Sequence, residues 1–238
     1  MKILGYSERG IINSLIFSIG DDNELMGKFI GLMNLPETFD LGEPINYTIL
    51  LEQSFSEFGD ADLVIITHYK NPKEEKPEDK KVLFIEGKVK TLKSNWNINT
   101  QYKNHIQLNK DEIIQKPTNY WSNLFSQLYL KKLLITNLDE IKIEKLKETN
   151  FTGKRQIGSH KIVLNAFQMI ECEEAYYVGI IPSTVNEIKD FTAINQTGYY
   201  FISWKTVHDF CKKEEKLNKV LDVFDYNEGQ IYKYDELI

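Results

Sequence analysis

Cysteine is nearly missing from this chain: 238 residues contain only Cys172 and Cys211. Neither lies in a metal-ligand spacing, so a zinc ribbon or a disulfide scaffold is excluded. Two buried, reduced thiols in a cytoplasmic protein are expected instead. No apolar run approaches the roughly 20 residues that a membrane span needs. There is no secretory-type apolar segment either, so neither export nor a membrane partner is expected. The chain also lacks an internal repeat and the P-loop, GxGxxG and GxSxG patterns. Repeat arrays, P-loop NTPases, dinucleotide enzymes and serine hydrolases thereby lose their usual signatures. What is present is a hydrophobic fraction of 42%, with 13 Phe and 13 Tyr. That composition belongs to a folded globular protein of one domain, or one with a substantial insertion.

Another absence is local. Residues 87–110 contain no acidic side chain, yet carry Lys88, Lys90, Lys93, Lys103, Lys110 and His105 among asparagines, glutamines, Trp96 and Tyr102. The formal net charge of −6 argues against a nonspecific nucleic-acid coat, but its distribution is uneven. Residues 1–62 hold 3 basic and 11 acidic side chains, residues 63–161 hold 19 and 11, and residues 162–238 hold 7 and 13. Only the middle third, net +8, offers an electrostatic footprint for a polyanion. Within it Lys90, Lys93, Lys103, Lys154, Arg155 and Lys161 are candidate nucleic-acid contacts. A solvated polar surface is the ordinary alternative, and His105 reads as a surface histidine.

Across the start of that third runs the stretch from Gly59 to Lys90. Its apolar runs, Leu63 to Thr67 and Val82 to Ile85, are separated by a charged, proline-bearing segment. This reads as two antiparallel strands joined by a long hairpin loop. Asp60 and Asp62 share one face at the start of the first strand; Glu86 and Lys88 share one face at the end of the second. Antiparallel pairing brings these ends together, so Asp62, Glu86 and Lys88 should meet. Two carboxylates about 4 Å apart repel by roughly 4 kcal/mol at an effective dielectric near 20, which calls for a cation between them. Lys88 supplies one charge. A divalent ion supplies more, and oxygen ligands favour Mg²⁺ or Mn²⁺ over zinc. The ordinary alternative is a surface ion pair at a strand end, worth little.

The N-terminal segment predicts a helix with Ser7 as N-cap, Gly20 as stop and a stripe of Ile11, Ile12, Leu15, Ile16 and Ile19. Glu8 falls on the inward side of that helix. A short helix over Glu24 to Asn34 and a strand over Tyr47 to Leu51 follow. The order is helix, strand, strand, strand.

These residues carry a resemblance. Asp62 ahead of LVII, Glu86-Gly87-Lys88 closing VLFI, and Glu8 on the first helix make the chain similar to the PD-(D/E)XK, or restriction-endonuclease-like, nucleases; Ala61 replaces the motif's proline. The resemblance covers roughly residues 6–105. It implies a single nuclease-like domain over 1–238, with a mixed β-sheet flanked by helices. It also implies Mg²⁺-dependent hydrolysis of DNA phosphodiesters, with Mn²⁺ able to substitute, and action as a homodimer is compatible with it. Asp62, Glu86 and the Gly87 carbonyl would ligate the metal. Lys88 would orient or deprotonate the attacking water, and Glu8 would hold a water of the ion or a second ion. Asp60 is a possible supporting residue; so is Gln101, which with Tyr102 matches a helix that follows the lysine strand in some relatives. A member of the same fold that has lost cleavage and serves as a binding module is the alternative.

Further along, WSNLFSQLYLKKLLI (residues 121–135) has the apolar spacing of a core helix, and Asp139 to Thr149 predicts an amphipathic one; together they make a helical segment over about 117–150. Thr152 to Lys161 is a basic, glycine-punctuated loop, and Ile162 to Ile170 is ambiguous between strand and helix. Residues 162–238 end in two strand-then-helix units. Ala175 to Ile181 precedes Val185 to Phe191, and Tyr199 to Ile202 precedes Trp204 to Lys213. Ser183 or Thr184 and then Ser203 are the expected caps, and Trp204 the expected packing residue. The tail after Leu217 reads as peripheral.

Overall fold

The structure, a computed structural model, describes residues 2–36, 39, 44–69, 79–90, 96–108, 122–140, 160–172 and 174–232. The elements run α1 Ser7–Ile19, α2 Asn23–Gly31, β1 Pro44–Ser54, a 3-10 turn Ser56–Phe58, β2 Asp60–Tyr69 and β3 Asp79–Gly87. Then come α3 Ile98–Ile106, α4 Leu124–Glu140, α5 Lys161–Ile170, β4 Glu174–Ile181, α6 Val185–Lys189, α7 Ile194–Thr197 and β5 Tyr200–Ser203. These are followed by α8 Trp204–Lys213, a 3-10 turn Glu215–Leu217 and α9 Asn218–Ile231. The expected helix over Asp139 to Thr149 and the loop from Thr152 lie almost wholly outside the described residues.

The protein is α/β, with one five-stranded mixed sheet in the order β1-β2-β3-β4-β5. The first three strands form an antiparallel meander, and β3, β4 and β5 run parallel. A parallel connection needs a long crossover, and helices fill both crossovers here. Central strands are buried on both faces, which is why β2 and β3 read as continuous apolar runs rather than alternating ones. Among the described residues no helix is long and apolar enough to cross a membrane.

The chain forms two compact units: Met1–Pro44, Gly87–Thr100 and Val178–Ile238 in one, Ile45–Glu86 and Gln101–Tyr177 in the other. In the second, Phe55 packs edge-on against Phe84 and Phe167, and Phe84 stacks on Tyr177. Residues 162–170, ambiguous in sequence, are helical in α5, which buries Leu164, Ala166, Phe167 and Ile170. Lys80 donates to the Met169 carbonyl at the end of that helix, a position the helix dipole favours for a cation.

In the first unit, α1 buries the five residues of its predicted stripe, and Gly20 closes it. Its N-cap differs from the expectation. Tyr6 holds that position without a side-chain hydrogen bond, and Ser7 is the first helical residue. The cap comes from α9 instead: the Ser7 N–H donates to Asn227 Oδ1 (2.8 Å), while Asn227 Nδ2 donates to the Gly5 carbonyl (2.8 Å). The tail after Leu217 is therefore not peripheral. Helix α9 buries Val220, Val223, Phe224, Asn227 and Ile231 and packs along α1. The two cysteines are free thiols, but only Cys211 is buried, and Cys172 is partly exposed. Burial pushes the Cys211 thiol up to about 12.

Candidate functional site

Strands β2 and β3 pair from Leu63↔Ile85 to Tyr69↔Asp79. Continuing that register by one residue sets Asp62 opposite Glu86, on the face that also carries Val64 and Phe84. Directly opposed residues of an antiparallel pair have Cβ atoms about 4.5–5.5 Å apart, within reach of a shared cation. Asp62 is 6% exposed and Glu86 0%, whereas Asp60 lies exposed at the strand's first position. Gly59, with φ of 76°, turns the chain from the 3-10 turn into β2, a conformation that only glycine adopts readily.

The cation next to Glu86 in this unit is one the sequence did not advertise. Lys131, on α4, is 0% exposed, and its Nζ lies 3.3 Å from Glu86 Oε1. The same ammonium donates to the Phe58 carbonyl at 3.0 Å. Helix α4 is fixed at its start by Asn123, whose Oδ1 accepts the Ser126 N–H, and by Gln101, whose Oε1 accepts the Leu124 N–H. Gln101 thus anchors the helix that carries Lys131. Its neighbour His105 is half-buried and hydrogen-bonded to the Ser126 hydroxyl, rather than a free surface histidine.

In the first unit, Glu8 packs on Gly87 so closely that a Cβ added there would come within 2.6 Å of Glu8 Cβ and 3.2 Å of Ile12 Cδ1. The middle residue of Glu-Gly-Lys is glycine because α1 leaves no room for a side chain. Lys88 follows, 8% exposed. Its N–H donates to the Ile180 carbonyl, which registers it beside Ile181 of β4. The next ladder donor along β4 would belong to Pro182, which has no N–H. Trp204 Nε1 supplies the missing bond, donating to the Lys88 carbonyl at 2.7 Å. Trp204 is therefore a buried packing residue, as expected, and it also fixes the backbone of Lys88. Among the described residues no carboxylate pairs with the Lys88 ammonium.

No family model, curated protein or solved structure matches the chain. Function has to be read from the side chains themselves. Of the basic candidates, Lys103 is exposed on α3, Lys161 is exposed at the start of α5, and Lys90 is half-buried with its N–H bound to the Gln230 carbonyl. Lys93, Lys154 and Arg155 lie outside the described residues. No three His, Cys, Asp or Glu side chains among the described residues gather closely enough to hold a metal ion. A donor set of two buried carboxylates still fits Mg²⁺, which keeps several waters and takes one or two carboxylates plus phosphate oxygens. It does not fit a structural zinc.

Three contributors escape a reading of the sequence. Lys131 occupies the i+3 step after Leu128 in the buried stripe Leu124, Leu128, Lys131, Ile135. A lysine on the apolar face of a core helix is the available signal. Asn227 and the Pro182–Trp204 substitution leave no such mark, because each acts on residues distant in sequence.

Proposed function

We propose that this chain is a Mg²⁺-dependent nuclease with a restriction-endonuclease-like core, hydrolysing DNA phosphodiesters as a restriction, repair or defence endonuclease. The observation that carries the reading is the buried Asp62–Glu86 pair at the β2/β3 end, followed directly in the chain by Gly87 and Lys88. Burying two carboxylates side by side is costly unless a cation shares them. Asp62, Glu86 and the Gly87 carbonyl would hold the ion, whose chemistry is to polarise a phosphoryl group and acidify water. Lys88 would orient or deprotonate the nucleophilic water and offset phosphate charge. Its clamped N–H and carbonyl keep that side chain's origin fixed. Glu8 would hold a further water or a second ion. Lys103, Lys90 and the basic residues around Lys154 would supply phosphate contacts.

One observation favours a second reading, a nuclease-fold binding module without cleavage. Glu86 already has a buried cationic neighbour in Lys131. Plasmid DNA incubated with Mg²⁺ or Mn²⁺ separates the two readings. The nuclease reading expects nicking or cutting by the unaltered protein and none by Asp62→Asn or Lys88→Ala. No metal-dependent cleavage of duplex DNA, single-stranded DNA or RNA would select the binding module.

A further inference from the structure

We infer that Lys131 is a built-in counter-ion for Glu86 that a divalent cation must displace, so that this lysine sets how tightly the metal is held. The inference rests on the metal-binding reading above and extends it to a residue of α4. The ammonium is fully buried, 3.3 Å from Glu86 Oε1, and is aimed there by its hydrogen bond to the Phe58 carbonyl. Gly59 leaves it space, since a Cβ added there would lie 3.5 Å from Lys131 Nζ. Without a cation, burial of Glu86 beside Asp62 would be unfavourable, and Lys131 makes the metal-free protein tolerable. The same charge then opposes the ion. A dication brought to Glu86 next to an ammonium is repelled by enough, at an effective dielectric near 20, to cost at least about tenfold in affinity. Entry of the ion requires the ammonium to turn away from Glu86, and the Phe58 carbonyl gives it a partner while it does so.

The test is a Mn²⁺ titration of the unaltered protein and of Lys131→Gln, read as apparent Kd by calorimetry and as the metal-induced rise in Tm. Glutamine is neutral, yet its amide can still donate to the Phe58 carbonyl. The expected result is a lower Tm for Lys131→Gln without metal, a larger rise on adding Mn²⁺ and a Kd at least about tenfold lower. Equal or weaker binding by the variant would overturn the role of Lys131 while leaving the metal site standing. No Mn²⁺ binding by either protein would overturn the metal-binding reading and this inference with it. Should Lys131→Gln fail to fold, ¹³C-labelled lysine in the unaltered protein decides. The Lys131 Cε resonance must move as diamagnetic Mg²⁺ saturates the site. A resonance that stays put while metal binds would refute displacement.

Discussion

Replacing Gly87 by alanine tests a close approach in the first unit, because it adds one methyl group where α1 leaves none. The new Cβ would stand 2.6 Å from Glu8 Cβ, 3.2 Å from Glu8 Cγ and 3.2 Å from Ile12 Cδ1. Carbon atoms rest about 3.5–4.0 Å apart, so Glu8 Cβ must retreat by roughly 1 Å. A Cβ cannot rotate out of the way, and α1, which buries Ile11, Ile12, Leu15 and Ile16, has to shift with it. Overpacking of this kind costs about 1–3 kcal/mol. The opposing term is the lower entropy of an unfolded chain with alanine, which returns about 0.4–1 kcal/mol. The net expectation is destabilisation by about 1–2 kcal/mol, read from the midpoint of urea unfolding at unchanged m-value. Glu8→Ala should not rescue it, since the offending Cβ remains, whereas Glu8→Gly should recover part of the loss. A Gly87→Ala protein as stable as the original would show that α1 does not press on the Glu-Gly-Lys segment.

The two aspartates should separate cleanly. Asp62→Asn, at the buried position, should remove cleavage by orders of magnitude, and Asp60→Asn, at the exposed one, should cost far less; the opposite ranking in a plasmid assay would mean the strand register is wrong. Charge reversal at Lys103 should weaken DNA binding and flatten its salt dependence, the slope falling by roughly one for each phosphate no longer neutralised. An unchanged slope moves the footprint to Lys154, Arg155 and Lys161. His208 gives a pH prediction: it is buried, hydrogen-bonded to the Tyr232 hydroxyl and stacked on Phe224, and burial, then Lys212, holds its pKa below the ordinary value. A depressed histidine binds fewer protons folded than unfolded, so its contribution is whole above about pH 6.5 and is lost as pH falls below that. His208→Gln should flatten the acid-side slope of unfolding free energy, and an unaltered slope would refute the assignment.

The sequence by itself determined the pieces governed by local periodicity and spacing. The stripe of α1, the β2 and β3 runs, the Thr184 cap of α6 and the Ser203 cap of α8 are all nearest-neighbour chemistry, and each stands near its expected place. The opposition of Asp62 and Glu86 followed from the same arithmetic, because antiparallel register converts sequence position into spatial position. What only tertiary structure decided is which groups from distant segments attend those residues. Helix α9 delivers Asn227 to the start of α1, and Trp204 replaces the hydrogen bond that Pro182 cannot make. Glycine at 87 is explained only by the passage of Glu8 over it. Lys131 is the sharpest case. In sequence it interrupts an apolar stripe for no visible reason, and the reason, a buried carboxylate on β3, lies 45 residues earlier at Glu86. A local pattern can show that a charge is misplaced, but the partner that makes its burial tolerable is supplied by packing alone.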